Sequence, residues 1–135
     1  YSEQLANEMN LYSDNIQQLG RIGNDAWRAC RLVLDTGMHG MGWSRDKAIK
    51  FFFNNSPIEK MNANIETDRY IAWPGQACSY KMGQLAIINL RRKSEKELGR
   101  NFDIKLFHDE VLKDGGITIP ILTKKIEGFI NFHKN

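Results

Sequence analysis

The chain is poor in the features that would settle its class at once. It has two cysteines and three prolines in 135 residues, and no charge of either sign dominates: 19 Lys plus Arg stand against 16 Asp plus Glu, a formal net charge of +3. The mild balance gives little support for a dedicated nucleic-acid binder, which usually shows a clustered basic excess. The longest uncharged apolar run, Leu85 to Leu90, is far below the roughly 20 residues that span a bilayer, so no membrane span is expected. Cys30 and Cys78 have no C-x-x-C spacing. Both lie among apolar helical positions, where a thiol acts as a small hydrophobe, and two reduced thiols are expected. The opening Tyr1-Ser2-Glu3 is neither a start nor a charged leader, which suggests a fragment of a longer protein.

What is present reads as helix. Asp14 precedes a 3.6-period stripe of apolar and small residues (Ile16, Leu19, Gly23, Ala26, Cys30, Val33, Gly37), narrow enough for another helix to pack close. Ser44 caps a short segment from Arg45 to Asn54, and Ser56-Pro57-Ile58-Glu59 reads as a capping box opening a helix to about Ala72. Trp73-Pro74-Gly75 ends that helix. A long helix is expected from Gln76 to Leu98, its first half buried at the centre of the core and its charged second half in water, with Gly99 as terminator. Asp103 caps a helix to Lys113, and Pro120 begins a last one through Phe132. No segment alternates with period two for long enough to make a strand. The expectation is one all-α domain over residues 1–135, a bundle of six or seven helices.

Few residues announce chemistry. His39, His108 and His133 are dispersed, so no helical zinc pair exists. Phe107-His108-Asp109-Glu110 fails the H-E-x-x-H pattern, which places two imidazoles on one helix face. His39 lies at the end of the long helix, where the macrodipole favours a cationic imidazole; a pocket role beside Asp35, four residues back, is the alternative. Glu66-Thr67-Asp68-Arg69-Tyr70-Ile71-Ala72-Trp73-Pro74-Gly75-Gln76 is the densest polar-aromatic cluster, placed where a helix must break. It reads either as a cleft wall or as a Glu66–Arg69 salt bridge beside packed aromatics. Arg91 to Arg100 is interleaved with Glu95 and Glu97 and reads as a solvated helix face.

The strings around Asp35-Thr36-Gly37-Met38-His39 with Gly42-Trp43-Ser44, and Asp68-Arg69-Tyr70-Ile71-Ala72-Trp73-Pro74-Gly75-Gln76-Ala77 with Tyr80-Lys81-Met82-Gly83, resemble the C-terminal part of the domain of unknown function 885 family. The resemblance implies bacterial, often exported or periplasmic proteins distantly similar to gluzincin-type zinc metallopeptidases. It implies that Tyr1-Ser2-Glu3 is the tail of the segment holding the third zinc ligand. This chain would then hold no metal and no cofactor; zinc would belong to the parent, and the chain alone would be inactive. Tyr70 is the implied oxyanion donor, with His39 and Tyr80 as weaker catalytic candidates and Arg69 as a substrate-binding residue. The related peptidases also use a His ahead of that Tyr, and no His lies between Phe53 and Arg69. The implied partners are the N-terminal half of the parent and a peptide-like substrate. Self-association is expected through a surface at Met38, Met41, Tyr70 and Trp73, and the Tyr70 hydroxyl is expected to be partly accessible on the side of His39. The reading from another class is a non-catalytic helical binding or structural module.

Overall fold

Helix starts in this chain follow from short polar side chains that satisfy otherwise unpaired backbone N–H groups. Asp14 accepts from the Gln17 N–H at 2.8 Å and opens α2, Asn15–Met41, which ends at left-handed Gly42. Ser44 accepts from the Lys47 N–H and opens α3, Arg45–Asn55. Asp103 accepts from the N–H groups of Lys105 and Leu106 and opens α6, Ile104–Leu112. The remaining helices are α1 (Ser2–Glu8), α4 (Lys60–Ala72), α5 (Ser79–Leu98) and α7 (Ile119–His133), with one-turn 3-10 segments at Gln76–Cys78 and Gly99–Asn101. The computed structural model describes residues 1–134, and among them there are seven α-helices and no strand. The protein is all-α. No helix of the described residues is long and apolar enough to cross a membrane.

The chain packs as two compact units, Tyr1–Met82 and the part from Gly83 onward, with the boundary inside α5. In the first unit, α2 packs against α3 and α4 around Leu34, Ala48, Phe52, Ala63, Tyr70 and Ala77. Phe52 sits at its centre, edge-on to Trp27 with centroids 6.0 Å apart and 6.2 Å from Tyr70. The second unit is built around Leu90, Leu98, Phe107, Leu122, Ile126, Phe129 and Ile130.

Two expectations are corrected. Ser56 does not open α4: its hydroxyl donates back to the Phe52 carbonyl at 2.9 Å, and α4 begins at Lys60 after Glu59. A serine hydroxyl can cap forward or bond backward one turn. Here Ile58 is buried, and the extra residues carry it into the core before the helix resumes. The second correction concerns α5. Tyr80, Met82 and Leu85 in its apolar half are exposed, while Ser94 and Leu98 in its charged half are buried together with Leu90, whose burial is expected. Those three positions recur every four residues and make one narrow stripe, which the surrounding Arg, Lys and Glu residues hide in the sequence. Along the small-residue stripe of α2 the close neighbours of the glycines are loop residues. A Cβ at Gly37 would stand 2.7 Å from the Trp43 ring, and one at Gly23 would stand 2.9 Å from Pro57.

Fully buried Ile126 should lose about 2–5 kcal/mol on replacement by Ala. Leu85→Ala, at an exposed position, should stay within about 0.5 kcal/mol. Urea denaturation of the two variants checks both values.

Candidate functional site

The last turn of α4 sets Glu66, Arg69 and Tyr70 at i, i+3 and i+4, so all three share one face. Glu66 Oε2 accepts from Arg69 Nη2 at 2.6 Å and from the Tyr70 hydroxyl at 2.6 Å, and Glu66 Oε1 accepts from Arg69 Nε at 3.2 Å. Trp27 Nε1 donates to the Tyr70 oxygen at 3.4 Å. Burial would push the Glu66 carboxyl up, yet the bonds from Arg69 and Tyr70 and the charges of Arg69 and Arg31 hold it below the usual carboxylate range. Burial and the bond to Glu66 push the Tyr70 phenol up to about 12.

The turn after α4 is fixed from α2. Gly75 has φ +83°, a conformation open to glycine at little cost, and its N–H donates to both carboxylate oxygens of Asp35 at 3.0 and 2.9 Å. Asp35 is 3% exposed. One turn on, His39 Nδ1 lies 3.0 Å from the Asp35 carbonyl and 3.2 Å from its Oδ1. Both neighbours are acceptors, so Nδ1 carries the proton. Gln76, next after Gly75, is thereby placed where its Oε1 accepts from Arg31 Nη2 at 3.1 Å and Arg69 Nη1 at 3.2 Å. The Arg31 guanidinium stands 5.3 Å from the Tyr70 ring centroid and 4.6 Å from that of Tyr80. Arg69 stands 5.0 Å from Tyr70, within cation–π range.

Arg69 and Tyr70 are thus brought together and Tyr80 joins them through Arg31, while His39 is tied to Asp35 and meets the cluster by way of Gly75. The expected accessibility of Tyr70 is corrected: the residue is 1% exposed, because its ring fills the space beside Phe52 and its hydroxyl has partners on both sides. The expected apolar surface is corrected with it. Met41 and Trp73 are exposed, Met38 packs half-buried on the core, and Tyr70 is not at the surface. Sequence reasoning missed Arg31 and Trp27, whose i, i+4 spacing on the apolar face of α2 was the available signal. Both cysteines carry free thiols, and burial raises the pKa of each. Among the described residues, no three His, Cys, Asp or Glu side chains gather closely enough to hold a metal ion.

The raised Tyr70 value has a signed consequence. The unfolded phenol ionises near 10 and the folded one near 12, so the folded state binds the extra proton between them and stability falls as pH rises through that window. An absorbance titration should show one tyrosine ionising at about 12, and Tyr70→Phe should remove that step. Asp35→Ala, which leaves the Gly75 N–H unpaired, should cost about 1.5–3 kcal/mol by thermal or urea unfolding.

The comparisons come to bear on this geometry. None of the curated proteins matches the chain. A crystal structure described as a "putative lipoprotein" from Colwellia psychrerythraea matches it with a TM-score of 0.95 and 38% identity, over 98% of this chain and 23% of that one. The chain therefore spans under a quarter of the length of that relative. A family model for bacterial proteins of unknown function, DUF885, matches residues 1–126, and the chain belongs to that family.

Proposed function

We propose that this chain is the C-terminal helical part of a zinc metallopeptidase-like protein, and that it supplies the substrate side of a cleft. One observation carries the reading. At the helix break after α4, Arg69 keeps 37% of its side chain in solvent beside the Tyr70 phenol, with the Arg31 charge near and Glu66 the carboxylate that joins them. Among the described residues no cluster of His, Cys, Asp and Glu is set to hold a zinc ion; in this reading the metal and its ligands come from the rest of the parent, together with a peptide-like substrate. An exported or periplasmic setting belongs to the same reading, supported by the lipoprotein description of the relative. Self-association is part of it too, through apolar side chains left in water such as Ile16, Leu19, Met41 and Trp73.

In this role Arg69 binds and Tyr70 holds a proton. A phenol with a pKa of about 12 is neutral at pH 7 and keeps a hydrogen to donate to a developing oxyanion. To do so it must exchange Glu66 for the substrate. A second reading, the non-catalytic helical module, is favoured by the burial of Tyr70 and by the two partners already on its hydroxyl.

Tyr70→Phe in the full-length parent separates the two. With hydrolysis of a peptide substrate as the assay, the catalytic wall requires kcat to fall by about 100-fold or more with KM nearly unchanged. An unchanged kcat with a lowered Tm assigns Tyr70 to packing.

A further inference from the structure

Arg31 and Arg69 point two guanidinium groups at a single neutral atom, Gln76 Oε1, at 3.1 and 3.2 Å. Arg69 has a charged partner in Glu66, which takes its Nε and Nη2 in a two-point contact. Arg31 feels the Glu66 charge but hydrogen-bonds to no carboxylate among the described residues: its Nη2 meets the Gln76 amide oxygen, and its Nε is buried with no acceptor. Leaving a buried cationic donor unpaired costs free energy that a native structure normally avoids. The Nε–Nη2 edge of a guanidinium has the spacing of the two oxygens of a carboxylate. Nε is buried, so a ligand reaches the edge as the Gln76 side chain gives way; the neighbours on that side are near the surface, with Tyr80, which flanks Arg31, half exposed and Arg69 partly in solvent.

We infer that Arg31, Arg69 and Gln76 form a seat for the terminal carboxylate of a peptide-like ligand, with the Gln76 amide oxygen as its placeholder. On binding, one carboxylate oxygen takes the bare Arg31 Nε. The other replaces Gln76 Oε1 between Arg31 Nη2 and Arg69 Nη1, exchanging a neutral acceptor for an anionic one, so that both bonds become ion pairs. The two cations then face two carboxylates, Glu66 and the ligand. The Tyr80 ring lies 4.6 Å from the Arg31 guanidinium, a cation–π contact that helps to hold the fork in position. The inference rests on the substrate-side reading above and names the chemical group that this side would receive.

The test uses N-acetyl-Ala-Ala as the free acid, the same dipeptide as its C-terminal amide, and inorganic phosphate, each titrated into the protein while the Arg31 Nε–Hε signal is followed by NMR. The free acid should shift that signal with saturation, and the amide should leave it unmoved. Gln76→Glu places a carboxylate of the protein's own on both guanidinium groups, so it should abolish binding of the acid while holding Tm at or above the wild-type value. Arg31→Gln should weaken the acid by about tenfold or more; should that variant fail to fold, Gln76→Glu decides alone. Equal shifts from acid and amide, or undiminished binding by Gln76→Glu, would overturn the seat. Phosphate binding as tightly as the acid would overturn its assignment to a peptide terminus. Acid binding here, combined with an unchanged kcat for Tyr70→Phe in the parent, would keep the seat and dismiss the catalytic wall.

Discussion

The arrangement of the first unit depends on one buried carboxylate. Asp35 gives both of its oxygens to a single backbone N–H, that of Gly75, forty residues away in the chain. A buried carboxylate is tolerated only when hydrogen bonds replace its lost water. Here the partners are the amide of a left-handed glycine and the His39 imidazole. The geometry of the helix break thus follows from α2 rather than from the break itself. Through Gly75 the bond sets the start of the 3-10 turn, through Gln76 it sets where two guanidinium groups meet, and through Arg69 it reaches the last turn of α4.

Around that anchor the charges are arranged unevenly. Glu66 is asked to satisfy Arg69 and the Tyr70 hydroxyl and also feels Arg31, so one carboxylate answers more than one cation. Surface pairs elsewhere, such as Arg45 with Asp68 and Lys93 with Glu127, are matched one to one and solvated, and such pairs contribute little. The contrast separates a polar network that holds the core from ion pairs that decorate the helices. It also explains why Tyr70 lies so deep: its ring packs with the Phe52 cluster and under the two guanidinium groups, while its oxygen joins Glu66.

Much of the fold was legible because its signals are local. Asp14, Ser44 and Asp103 cap the helices that follow them, and Gly99 and Pro120 mark boundaries, since each acts on backbone groups within a few residues. Ser56 misled because the same hydroxyl has two local partners to choose from. The burial of α5 misled because composition reports how apolar a segment is, while burial depends on which neighbour covers it. Within the site, Glu66, Arg69 and Tyr70 could be placed together from helical spacing. The meeting of Trp27 with Tyr70 and of Arg31 with Gln76 spans more than forty residues, and the i, i+4 spacing of Trp27 and Arg31 shows only that they share a face, not what they meet.

Gly37 and Trp43 have a bearing on how this sequence can drift. The indole occupies the space that any side chain at position 37 would need, so the hydrogen of Gly37 and the size of Trp43 form one steric unit. A mutation enlarging residue 37 fails while the indole is there, and a mutation shrinking residue 43 opens a void while the glycine is there. Neither position can leave its present state first without passing through a destabilised intermediate. Divergent relatives with this turn should therefore hold both residues or have exchanged both, which makes the pair a heritable marker of the α2–α3 junction.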